Sequence, residues 1–249
     1  MTSSTLPLPG KPAAETHRRP PLMLLATEPA RAALEALHTL NPWRSTPEQV
    51  GEGRTVVLFP GLGTDGRTMW PLRRHLERAG FRAIDWGQGL NTGPKGDIEA
   101  WLDELAESMQ ALIAPADEAS LVGWSLGGFY ARELAKRLPG RVPQVITIGT
   151  PFSGGPDDTN VGWLFRLLNG RRPPEEAALL ERLAEPPPVP TTSIYSRRDG
   201  IVAWEACLHS GRWPQVEEIE VEASHMGMGW APEVLDHVTD LLARQPAAA

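Results

Sequence analysis

Acyl transfer by covalent catalysis needs three residue types: a hydroxyl that attacks, an imidazole that takes its proton, and a carboxylate that orients the imidazole. Ser125, His225 and Asp199 are the candidates. Ser125 lies in ASLVGWSLGGFYARELAKRL, Ala119 to Leu138, which reads as a short apolar strand, a sharp turn and an amphipathic helix. Gly123, Ser125 and Gly127 spell G-x-S-x-G, the pattern in which a serine is held on a strained strand-to-helix turn with its hydroxyl clear of the backbone. A strand turns directly into a helix only where the residues two before and two after the corner lack bulky side chains. The serine then sits where free N–H groups and the helix dipole favour negative charge, as an oxyanion requires. In a chain with 24 glycines the motif alone is weak, and its setting between strand and helix carries the weight.

Asp199 follows the strand-like TTSIYS in the run SRRDGIV, where Gly200 permits a tight turn. Asp157 and Asp158 are rival carboxylates in a long connection. His225 follows VEEIEV, in the glycine-rich run EASHMGMGW. Of the other histidines, His17 falls in the N-terminal tail, and His38, His75, His209 and His237 fall within predicted helices. An oxyanion also needs two backbone donors: the N–H of Leu126, just after the nucleophile, and that of Leu62, where Gly61 and Gly63 allow close approach. Trp124 in the elbow, Trp163 in the long connection and Met226 beside the histidine are the candidates for substrate contact.

These residues need a scaffold that gathers them. Arg54 to Phe59, Phe81 to Asp85, Ala119 to Trp124, Gln144 to Gly149, Thr191 to Ser196 and Val216 to Val221 read as six strands. Helices are expected over Leu22 to Leu40, up to Gly80 with Pro71 in the first turn, from the Asp97 cap onward, after Ser125, and over Pro232 to Arg244. The alternation predicts an α/β fold with a mostly parallel six-stranded sheet covered on both faces. In such a sheet the functional loops lie beyond the carboxyl ends of the strands. Residues 1–21 are expected to be a disordered tail and 22–249 one domain, with 151–190, too long for a plain connection, forming a cap.

The net charge of −7 and pI near 5.4 argue against a nucleic-acid partner. Cys207, the single cysteine, excludes an internal disulfide and a cysteine-based zinc site, and no His/Glu cluster has metal spacing. Neither a membrane span nor a signal peptide is recognised, so the expected location is the cytoplasm. Nine tryptophans against two tyrosines suit a wide apolar pocket. Oligomeric state is left open.

With the order Ser125, Asp199, His225, the chain resembles the α/β-hydrolase superfamily, in particular bacterial lipase/esterase-like proteins grouped with triacylglycerol lipases and PGAP1-like hydrolases. The resemblance rests on VVLFPGLGTDG, LVGWSLGGFYARELA, VITIGTPFSG, IYSRRDGIV and SHMGMG and omits the first fifty residues. It implies cofactor-free serine hydrolysis of a small-molecule or lipid-like ester with an apolar acyl part, under a cap; acyl transfer and thioester cleavage use the same machinery. One departure is Pro60-Gly61 where many relatives have His-Gly, which removes a side chain that often braces the oxyanion loop. A rival reading starts from Gly61-x-Gly63-x-x-Gly66 with Asp85 about twenty residues on, the dinucleotide-binding fingerprint. Pro71 opposes it, because a helix beginning at those glycines would place the proline in its interior.

Overall fold

The computed structural model describes residues 19–39, 47–113, 117–153, 182 and 184–244. Six strands, β1 Thr55–Phe59, β2 Arg82–Asp85, β3 Ala119–Trp124, β4 Val145–Ile148, β5 Thr191–Tyr195 and β6 Val216–Glu220, form one sheet in the order β2-β1-β3-β4-β5-β6. Every neighbouring pair is parallel. Among the described residues five α-helices accompany them: α1 Leu22–Thr39, α2 Trp70–Arg78, α3 Ile98–Leu112, α4 Leu126–Arg137 and α5 Pro232–Ala243.

Side chains alternate across a strand, so two cores form on the two faces. Val56, Leu58, Val122, Trp124, Ile146 and Ile148 pack with residues of α2 and α5. Val57, Phe59, Leu121 and Val145 pack with residues of α3 and α4 on the other face. All six residues of β3 are buried, which accounts for the unbroken apolar character of that stretch. β6 differs, being an edge strand with Glu217, Glu218 and Glu220 exposed. Local chemistry sets the helix starts: Asp97 accepts the Ala100 amide at 3.0 Å, and Pro71 occupies the first turn of α2, where its missing N–H costs nothing.

Backbone contact explains the elbow glycines. A Cβ on Gly123 would lie 2.4 Å from the Gly127 carbonyl carbon, and one on Gly127 would lie 2.2 Å from the Phe59 oxygen. Gly127→Ala is therefore expected to destabilise the protein by about 1–3 kcal/mol through overpacking, lowering Tm by roughly 2–12 °C. An unchanged thermal melt would contradict this account of the corner.

The chain returning from the long connection is fastened to α4. Lys136 donates to the Arg182 carbonyl at 2.7 Å, and Arg182 lies 3.2 Å from the fully buried Glu133. The expected cap lies mostly, and the tail almost wholly, outside the described residues. No helix among the described residues is long and apolar enough to cross a membrane.

Helix α1 is amphipathic in reverse. Leu22, Met23, Leu34 and Leu37 are exposed, whereas Glu28 is 1% exposed and, with Ala32, is one of the helix's two buried residues. The helix packs on the turn at 227–229 and on α5.

Candidate active site

Ser125 stands between β3 and α4 with φ 52° and ψ −122°, a left-handed geometry uncommon for a residue with a side chain. Hydrogen bonds overdetermine it. The Ser125 amide donates to the Ile148 carbonyl at 2.8 Å, and its own carbonyl accepts from Thr150 Oγ1 at 2.8 Å and from the Gly128 amide at 3.0 Å. The hydroxyl does not cap the helix that follows, and it faces His225 instead.

The structure brings the three predicted side chains together. His225 Nε2 is 3.1 Å from Ser125 Oγ, and His225 Nδ1 is 2.5 Å from Asp199 Oδ2. The other Asp199 oxygen accepts the amides of Ile201 and Val202, both at 2.7 Å, which fixes the plane of the carboxylate. Asp199 and His225 are 3% and 4% exposed. Burial pushes the His225 imidazole down, but the Asp199 charge, its hydrogen bond and the nearby Glu28 charge outweigh this and hold it above the usual histidine range. A general base works only when deprotonated, so kcat/KM of the hydrolysis proposed below should fall with acid through a midpoint above about 6.5. A pH–rate profile with its acid limb below that value would contradict the arrangement.

Leu126 opens α4, so its amide has no partner within the helix, and among the described residues neither it nor the Leu62 amide meets a backbone acceptor. The loop carrying Leu62 is held by Asn91, a residue that sequence reasoning passed over. Its Nδ2 donates to the Pro60 carbonyl, its carbonyl accepts the Gly63 amide and its amide donates to the Thr64 carbonyl, each at 2.8 Å. The Asn91 Oδ1 accepts from Tyr130 Oη at 3.0 Å. Asn91 thus braces the loop that carries Leu62. The only available hint was an asparagine within a Gly-rich turn.

Trp124 is 5% exposed, and its indole N–H donates to the His225 carbonyl at 3.1 Å, so it anchors the histidine loop. Met226, the residue after His225, is 38% exposed. Trp163, Asp157 and Asp158 lie outside the described residues.

His209 differs from expectation: it lies in a loop after a short 3-10 helix, Trp204–Cys207, and not within a helix. Burial, then the charges of Arg132 and Lys136, push its pKa down to about 3. Neutral and 2.8 Å from Arg132 Nη1, it serves as a structural acceptor, not as a second base. Gly200 also has a different role from the one expected. Its φ is not positive, and a Cβ there would lie 2.5 Å from the Leu24 carbonyl carbon, so the glycine makes room for α1.

The nucleotide reading loses its geometry. Helix α2 starts at Trp70, well past Gly66, so no helix N-terminus directly follows the glycines. Asp85 packs on Gly66, where a Cβ would sit 2.2 Å from its Oδ2. Among the described residues no group of three His, Cys, Asp or Glu side chains could hold a metal ion.

A model of the alpha/beta hydrolase family matches residues 56–246. The chain belongs to the alpha/beta hydrolase family. Among its relatives, the pimeloyl-[acyl-carrier protein] methyl ester esterase of Shewanella sp. (strain MR-7) is 32% identical over 101 residues, 40% of this chain and 36% of that protein. The protein of the same name from Aromatoleum aromaticum is 36% identical over 118 residues, 45% of this chain and 44% of that one. The chain thus spans less than half the length of these curated relatives. The fold is similar to that of Paleococcus ferrophilus monoacylglycerol lipase, with a TM-score of 0.58 and 18% identity, covering 79% of this chain and 95% of that one. A putative aryl esterase from Burkholderia cenocepacia superposes with a TM-score of 0.55 at 18% identity, covering 79% and 92% of the two chains. In this alpha/beta hydrolase the candidate side chains lie beyond the carboxyl ends of β3, β5 and β6, where the fold's topology gathers functional loops.

Proposed function

We propose that this protein is a serine-dependent carboxylic ester hydrolase acting on an ester with an apolar acyl part. The observation that carries the reading is the unbroken hydrogen-bonded line from the Asp199 carboxylate through the imidazole to the Ser125 hydroxyl. His225 Nε2 takes the hydroxyl proton as Ser125 Oγ attacks the ester carbonyl, and the amides of Leu62 and Leu126 receive the developing oxyanion. Asp199 keeps the proton on Nδ1, leaving Nε2 free to accept, and stabilises the imidazolium that forms. As the tetrahedral intermediate collapses, the imidazolium gives its proton to the departing alcohol. A water deprotonated by the same nitrogen then attacks the acyl-serine and releases the acid.

The relatives whose names specify a methyl ester esterase support ester chemistry. Met226, exposed and next in the chain to His225, is proposed to offer apolar surface to the acyl part, and Trp163 of the long connection to add to it. Trp124 contributes by holding the His225 backbone. No nucleotide or metal takes part in this scheme.

Steady-state kinetics with p-nitrophenyl esters of increasing chain length, beside a fluorescence titration with NADH, test the assignment. Saturable hydrolysis with kcat/KM rising over part of the series, and no saturable NADH binding, is expected. Folded protein that turns over none of the esters, or that binds NADH saturably, would refute it.

A further inference from the structure

Helix α1 lies wholly ahead of residues 56–246, which the family model matches, yet it reaches the loops that carry Asp199 and His225. The contact is made by a buried carboxylate. Glu28 Oε1 accepts the Gly200 amide at 2.8 Å and the His225 amide at 3.1 Å, and its Oε2 accepts the Met226 amide at 3.1 Å. One side chain therefore ties the residue after Asp199 to His225 itself and to the residue after it. Burying a carboxylate is costly unless its charge is compensated. Here Arg31, one turn along α1, lies 2.8 Å from Oε1 and also donates to the Arg198 carbonyl at 2.6 Å. A further turn on, Glu35 accepts the Ser224 amide at 2.8 Å and the Ser224 hydroxyl at 2.6 Å, gripping the histidine loop from its other side.

The loops show an independent sign of the same fit. A Cβ on Gly200 would run into the Leu24 backbone, and a Cβ on Gly227 would lie 1.3 Å from Glu35 Oε2. Both glycines flank catalytic residues, and both are needed because α1 comes so close. The reversed amphipathicity of α1 follows: its polar edge, Glu28, Arg31 and Glu35 at spacings of three and four, is the working face.

We propose that α1 is part of the catalytic apparatus, with Glu28 a positioning residue that holds the Asp199 and His225 loops in register by accepting their backbone amides. The proposal rests on the ester-hydrolase reading, since it concerns the same triad. Around the imidazole the charged and titratable groups are Asp199 from the β5 loop, Glu28, Arg31 and Glu35 from α1, and the Ser125 hydroxyl; the Arg198 guanidinium is turned toward Glu222.

The test is Glu28→Gln and Glu28→Ala in the full chain, with kcat expressed per active site titrated by a fluorophosphonate. Displacing a catalytic group by about 1 Å can cost a hundredfold. The Gln variant keeps the shape and one acceptor oxygen and should lose about tenfold in kcat, and the Ala variant about a hundredfold, with KM little changed. The acid midpoint of kcat/KM should move to lower pH in both, because a negative charge near the imidazole is gone. A merely structural role would lower Tm and the titratable fraction while leaving kcat per titrated site and the acid midpoint at wild-type values; that result in the Gln variant would overturn the proposal, and so would failure of both variants to fold. If the wild type hydrolyses esters and Ser125→Ala does not, yet Glu28→Gln matches wild type, only the role of α1 falls. If the wild type hydrolyses none, the ester-hydrolase reading itself falls.

Discussion

Ser125→Ala is expected to lower kcat for ester hydrolysis by about 10⁴-fold or more, with KM within a small factor of wild type. On the proposed mechanism the loss is large because Ser125 Oγ, 3.1 Å from His225 Nε2, is the oxygen that forms the acyl-enzyme. Residual turnover would come from the oxyanion donors alone, which act on water far less well than on a positioned nucleophile. The fold should not suffer. The backbone bonds of Ser125 to Ile148, Gly128 and Thr150 do not involve its hydroxyl, so the melting temperature should stay near that of wild type. Ester hydrolysis at wild-type rate by this variant, assayed with p-nitrophenyl substrates, would remove Ser125 from the mechanism.

The second large effect belongs to Asp199→Asn, which should cost about 10⁴-fold in kcat while leaving structure and substrate binding intact. Geometry dictates why. One Asp199 oxygen is committed to the amides of Ile201 and Val202, so the carbonyl of an introduced amide would keep that position and its NH₂ would face His225 Nδ1. A donor there forces the proton onto Nε2, and the imidazole then presents a donor to Ser125 where an acceptor is needed. Stopped-assay kinetics together with a thermal melt check this. A loss of less than tenfold would mean that another group orients the histidine.

Much of this architecture could be read from residue order because the periodicities are strong. β3 is a run of buried residues between turn signals, the Asp97 cap and Pro71 mark helix starts with a definite mechanism, and the three chemical residues each follow a strand. Their meeting point follows from the rule that loops at the carboxyl edge of a parallel sheet converge. What could not be read depends on contacts between segments distant in the chain. Asn91 looks like an ordinary loop residue until its four hydrogen bonds to the Pro60–Thr64 turn and Tyr130 are seen. Glu28 looks like a solvated charge on an apolar helix, and only the approach of α1 to residues about 170 to 200 positions away reveals it as buried. Gly200 was legible as a glycine with a purpose, but a turn requirement and a packing requirement leave the same letter. His209 falls in a loop because the preceding helix is a single 3-10 turn that ends at Cys207, too short for periodicity to mark its end.

The most direct measurement is the location of the covalent bond. Treating the protein with a fluorophosphonate, digesting it and sequencing the modified peptide by mass spectrometry should place one adduct on Ser125, with labelling strongly slowed by His225→Ala. An adduct on another residue, or an enzyme that hydrolyses esters at full rate while Ser125 stays unmodified, would contradict the account.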